Sequence, residues 1–211
     1  MGLAIFLQPR KNSGFAIAPA LWLLGGFGLI HGANELLDMW QIIKGWEHAA
    51  FGSLKYSFLL ISYLFLFEFG RRLVRMLAEE SGARLKKTIL FALSWQVLPV
   101  LISLIIIAAM FSSAFLGTAP NLSRYFLGFP GGILAGAGLL LYARRMREPF
   151  RYMGVRKWFI LAGTAFIAYG ILGGLFVSPG DFFPANRLNA GLFLSVTGLP
   201  VQLFRALCAV A

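Results

Sequence analysis

Cysteine is almost missing from this chain of 211 residues: Cys208 stands alone. A single thiol excludes an internal disulfide, a CxxC redox pair, the CxxCH attachment of a c-type haem and a thiolate metal cluster. Cys208 lies in an apolar segment, where it reads as a small buried thiol. Histidine is nearly as scarce, with two in the chain, and neither belongs to an HExxH or HxxxH pattern. There is no nucleophile elbow, no Ser/His/Asp set and no Cys/His pair, so these residues hold no catalytic group of a familiar kind. Charge is thin as well: 13% of residues are charged and only 8 are acidic, against about 25% charged in an ordinary soluble domain.

What fills the chain instead is apolar. Hydrophobic residues make up 59% of it and the mean hydropathy is +0.77, the signature of a polytopic membrane protein. A helix needs about 20 apolar residues to cross a bilayer, and six segments qualify, near 14–38, 51–77, 87–111, 124–144, 157–177 and 188–211. The expected fold is therefore all-α, a bundle of six transmembrane helices forming one unit over residues 1–211. The opening Met1–Leu7 is too short for a signal-peptide core, and Phe6 breaks the myristoylation pattern. The first ten residues are expected to lie on the membrane surface.

The formal net charge of +11 would suggest nucleic acid in a soluble protein. Its distribution points to the bilayer instead. Arg10 and Lys11, then Arg71, Arg72, Arg75, Arg84, Lys86 and Lys87, then Arg144, Arg145, Arg147, Arg151, Arg156 and Lys157 place fourteen basic residues on one side. Lys44, Lys55, Arg124 and Arg187 place four on the other, and Arg205 falls inside the last span. By the positive-inside rule both termini are cytoplasmic. Glu35, Asp38, Glu47 and Asp181 then share the sparsely charged outer side with His31 and His48.

The first span carries polar groups where lipid disfavours them. At 100° per residue His31, Glu35 and Asp38 fall within an arc of about 60° on one helix face, with Asn34 beside them. Intramembrane ionisable groups face the protein interior or water and find partners. Arg187, at the outer end of the sixth span, is the expected cation for Glu35 or Asp38, which would join the first and last helices. The spacing allows three readings: a packing cluster, a sensing or ligand-binding face, or metal or haem ligation through His31 and Glu35 with His48 as a second ligand. His48, between Trp40 and Trp46, reads first as part of an interfacial segment. At the inner end of the second span, Glu68 has Arg71 and Arg72 three and four residues on, a structural ion pair. Gly128, Gly132 and Gly136 form a ladder for close helix packing or dimerisation. Pro99, Pro130 and Pro200 should start or kink helices. Residues 178–187 read as a structured turn rich in Gly and Pro.

Two stretches carry a resemblance. One is 21–38, with Gly25, Gly26, Gly28, His31, Gly32, Asn34, Glu35 and Asp38. The other is 182–207, with Phe182-Phe183-Pro184-Ala185-Asn186-Arg187-Leu188-Asn189 and Thr197-Gly198-Leu199-Pro200. Together with the basic connections between them, they resemble the N-terminal membrane regions of bacterial sensor histidine kinases that often continue into PAS domains. The resemblance implies a multi-pass sensor of the bacterial inner membrane, working as a homodimer. Its partners would be cytoplasmic kinase domains in the same chain and, through them, a response regulator. The last span ends without a basic anchor, so a longer chain is expected. The family's phosphoacceptor histidine and ATP-binding boxes are not among these residues, and no cofactor follows from the resemblance. Two alternatives stay open: a small transporter or proton or ion channel, and a haem- or quinone-linked redox subunit.

Overall fold

Long apolar runs and a near-absence of strand breakers in phase favour helix throughout, and helix is what forms. A computed structural model describes Leu3 and residues 16–46, 48–79, 86–145 and 154–210. Arg10, Lys11, Glu47, Arg84, Arg147 and Arg151, all used in the charge count, lie outside the described residues. A 3-10 turn at Ala18–Ala20 leads into α1, Leu21–Lys44. Then come α2, Ala49–Glu79; α3, Lys86–Ala92; α4, Val97–Met110; and α5, Phe115–Ser123. A π-helical turn, Arg124–Gly128, joins α5 to α6, Phe129–Arg145. The chain closes with α7, Val155–Gly174; α8, Ala190–Thr197; and α9, Val201–Val210. Among the described residues the only β pairing is one isolated bridge, Val177 to Asn189.

Among the described residues three helices are long and apolar enough to cross a membrane: Ala49–Glu79, Phe115–Arg145 and Val155–Gly174. A fourth crossing results if α8 and α9 count as one span, although a bend of 93° separates them. The structure thus differs from the six uninterrupted spans in three places. The polar residues of α1 dilute its apolar run below that of the others. Residues 87–111 are broken between α3 and α4, because Arg71 Nη1 takes the Leu93 carbonyl at 2.8 Å and Arg75 Nη1 takes those of Leu90 and Leu93 at 3.1 and 3.0 Å. Residues 188–211 turn sharply at Gly198, which adopts φ +71, just before Pro200. A left-handed glycine followed by proline is a common helix stop.

Helix α2 is the central element, packed on α1 and α6, and α6 in turn packs on α7. Tyr63, Leu66, Phe69, Leu127 and Ala135 are fully sealed in this core. Small residues set the spacing. A Cβ on Gly132 would sit 2.6 Å from Gly170 Cα, one on Gly136 would sit 2.5 Å from the Gly163 carbonyl, and one on Gly70 would sit 2.6 Å from Ala135 N. Without side chains at these points the backbones approach closely, which is how helices associate in lipid. The glycine ladder is therefore used up inside the chain, against α7 and against Tyr63, and leaves no free face for a second copy. Helix α4 is the opposite case. Val100, Leu104, Ile107 and Met110 are all more than half exposed, an apolar surface suited to lipid.

Residues 175–189 form an ordered turn over the end of the bundle that the charge count expects to be outer. Val177 and Ala185 are buried, Ala190 N–H donates to the Val177 carbonyl at 2.8 Å, and Asn121 Nδ2 donates to the Ser178 carbonyl at 3.0 Å. Asn189 caps α8 by accepting from Leu192 N–H at 3.0 Å.

Candidate functional site

Gly26 lets α1 pack closely against Phe65 of α2, and Phe27 reaches Phe166 and Tyr169 of α7, so the polar face of α1 looks toward both helices. His31 is buried. Its Nδ1 lies 3.0 Å from Ser62 Oγ on α2, and its Nε2 lies 2.7 Å from the Tyr169 hydroxyl on α7. The proton positions follow from Ser62, whose hydroxyl donates to the Leu59 carbonyl at 2.7 Å. Ser62 Oγ is then free only to accept, so Nδ1 carries hydrogen and donates to it. Nε2 is left to accept from Tyr169. This arrangement uses the neutral imidazole, with both nitrogens engaged. Phe27 stacks on the ring at 5.1 Å, and Tyr63 and Tyr169 approach it at 5.5 and 5.7 Å.

Binding a metal or a haem iron at His31 would require breaking one of these two bonds. No group of three or more metal-ligating side chains occurs among the described residues. His48 is exposed on the far side of Trp46, and its backbone carbonyl accepts from Phe51 and Gly52 at the start of α2. It does not approach His31 as a second ligand.

The two carboxylates of the face part company. Glu35 is half exposed, with Oε1 3.5 Å from His31 Nε2; because that nitrogen is an acceptor in the arrangement above, this contact is not an ion pair. Asp38 pairs with Lys55 of α2, which also donates to Gln41 Oε1. Asn34 is buried and reaches Asp38 at 3.5 Å. Arg187, the expected partner of Glu35 or Asp38, is instead exposed, in the turn before α8. The correction has a simple cause: Lys55 lies on the neighbouring helix of a tight hairpin and reaches Asp38 first.

Two arginines that sequence reasoning did not assign to the site come closest to it. Arg124 opens the π-helical turn and donates from Nη1 to the Tyr63 hydroxyl and to the Gly173 carbonyl, each at 3.3 Å. Arg205 projects from α9 and donates from Nη2 to the Phe176 carbonyl at 3.2 Å, while its Nε is sealed from solvent with no hydrogen-bond partner. Both guanidinium groups thus meet carbonyls at the C-terminal end of α7, where the helix dipole is negative. Both lie within electrostatic range of His31 and Glu35. A signal for Arg205 was present, since it lies inside an expected span, and such a residue is a functional-site hypothesis by default. Arg124 was hidden by its assignment to a loop end. Tyr169, Tyr63 and Ser62 gave no signal, being ordinary helix residues in sequence.

Beside this cluster a cavity of about 500 Å³ opens between α1, α7 and α9. Phe27, Ala162 and Phe166 supply apolar wall, and His31, Gln202 and Arg205 supply polar groups. The size falls among ligand sites, which run from about 300 to 1,000 Å³. The hydrogen-bonded series from Tyr169 through His31 and Ser62 ends on the Leu59 carbonyl.

The inner cluster is built differently. Glu68 is 15% exposed and accepts from Arg71 Nε at 2.6 Å, Arg71 Nη2 at 2.8 Å and Arg72 Nε at 2.6 Å. The remaining donors of Arg71 and Arg75 hold the end of α3, and Arg145 donates to the Leu77 carbonyl at the end of α2. Comparison of the chain with protein-family models, curated proteins and solved structures finds no match. The fold and site define an all-helical, multi-pass membrane protein with a largely apolar cavity, edged by a few polar groups, among its helices.

Proposed function

We propose that the chain is the membrane input region of a bacterial sensor histidine kinase. In this reading the six expected segments all lie in or on the inner membrane with both termini cytoplasmic, and a stimulus acts at the His31/Glu35/Arg205 face. The observation that carries it is the composition of the cavity wall: the first helix and the last one face each other across the same space, with α7 between. Occupancy of that space changes the packing of α9 against α1, and α9 passes the displacement to cytoplasmic kinase domains as a shift between two arrangements. The sequence resemblance and the excess of basic residues on one side support the same reading. A homodimer would form through a face other than the glycine ladder, and the lipid-facing α4 offers apolar area for it.

The test uses the full-length chain in membrane vesicles, with autophosphorylation as readout. The double replacement Glu35→Gln and Asp38→Asn, and separately Arg205→Gln, should shift the basal level and abolish any response, with membrane insertion unchanged. Phosphorylation that is absent from the full-length chain, or identical in all three proteins, contradicts the reading.

A further inference from the structure

The polar groups around the cavity do not balance. Asp38 is neutralised by Lys55, and His31 is held as a neutral ring by Ser62 and Tyr169. That leaves Arg124 and Arg205 against the single carboxylate of Glu35, which is half exposed and in ion-pair range of neither arginine among the described contacts. One positive charge is in excess. It stands beside an apolar wall, and Arg205, which lines the cavity, commits only Nη2 to a described hydrogen bond, with the Phe176 carbonyl. A guanidinium carries five N–H donors, so Arg205 keeps donors for an acceptor placed in the cavity. A dianion would overcompensate the charge, and a polar ligand would waste the wall made by Phe27, Ala162 and Phe166.

We infer that this cavity binds a single-chain amphiphile with a monoanionic head, its head group accepting from Arg205 and its acyl chain lying along α1 and α7. This deepens the sensing reading above, on which it rests, by naming the chemical class of the stimulus. The same chemistry is offered by a free long-chain carboxylate and by the head and one chain of an anionic phospholipid.

Cys208 makes the inference measurable, because the chain's one thiol lines the same cavity. The experiment follows the rate of maleimide labelling of Cys208 in phosphatidylcholine nanodiscs. Dodecanoate, or phosphatidylglycerol incorporated into the disc, should slow labelling severalfold, and whichever does so identifies the source. Dodecanol should give no comparable protection. Arg205→Gln should remove the protection and Arg205→Lys should retain part of it, each measured against the variant's own unliganded labelling rate. Absence of protection by either anion, equal protection by dodecanol, or full protection in Arg205→Gln overturns the inference. Labelling reads binding alone, so protection without any effect on autophosphorylation would leave this inference standing and remove the kinase reading instead.

Discussion

The two arginine clusters of this protein use the same residue type to opposite ends. At the inner cluster Glu68 takes three short hydrogen bonds from Arg71 and Arg72, and the remaining guanidinium contacts go to helix-end carbonyls. At the outer cluster Arg124 and Arg205 meet carbonyls through single nitrogens at 3.2–3.3 Å, one donor is orphaned, and a cavity adjoins. A closed cluster fixes packing. An open one stores an unmet interaction that a ligand can satisfy. That difference, more than the presence of polar residues in α1, separates a structural site from a binding site here.

The comparison can be broken or sharpened by substitution. The largest effect is expected at the closed cluster: Glu68→Ala removes the carboxylate from the buried guanidinium of Arg71 and should cost about 3 kcal/mol, the scale for breaking a buried pair, read as a lowered unfolding midpoint in detergent. Gly132→Val forces α6 from α7, where a Cβ has 2.6 Å of room, and should cost about 2 kcal/mol by overpacking. It should also move Arg124 off the Gly173 carbonyl and disturb Cys208 labelling, while the Glu68–Arg71–Arg72 set, carried by α2 alone, stays intact. Tyr169→Phe removes one buried hydrogen bond and should cost about 1 kcal/mol, with the nitrogen-15 shift of His31 Nε2 reporting the lost donor. Arg187→Ala, at an exposed position, should change stability by less than about 0.5 kcal/mol; a larger loss would restore it as a lock between the first and last helices.

The membrane class and most helix positions were legible because apolar runs declare themselves by composition. The site was legible only on one side. His31, Asn34, Glu35 and Asp38 stand out because α1 is otherwise apolar, and the spacing that puts them on one face is local to that helix. Their partners come from α2, α5–α6, α7 and α9, and which of these reach α1 depends on packing that no local pattern encodes. Arg124 shows why. Thr118, Asn121 and Ser123 lower the hydropathy before it, so the fourth span was expected to begin at 124. The helix begins at Phe115, where Asn121 binds the Ser178 carbonyl and Ser123 donates to the Tyr56 hydroxyl of α2. That extension carries Arg124 inside the bundle. The bend before α9 was half legible, since Gly198 and Pro200 announced a stop without its angle.

The central claim is that the outer cluster is incomplete and the inner one complete. The most direct measurement is the unfolding midpoint of Arg205→Gln beside that of Glu68→Ala, in one detergent without added anion. Removing an unneutralised buried charge should leave Arg205→Gln at or above the midpoint of the unaltered protein, while Glu68→Ala falls well below it. An Arg205→Gln midpoint that falls as far as that of Glu68→Ala would contradict the account.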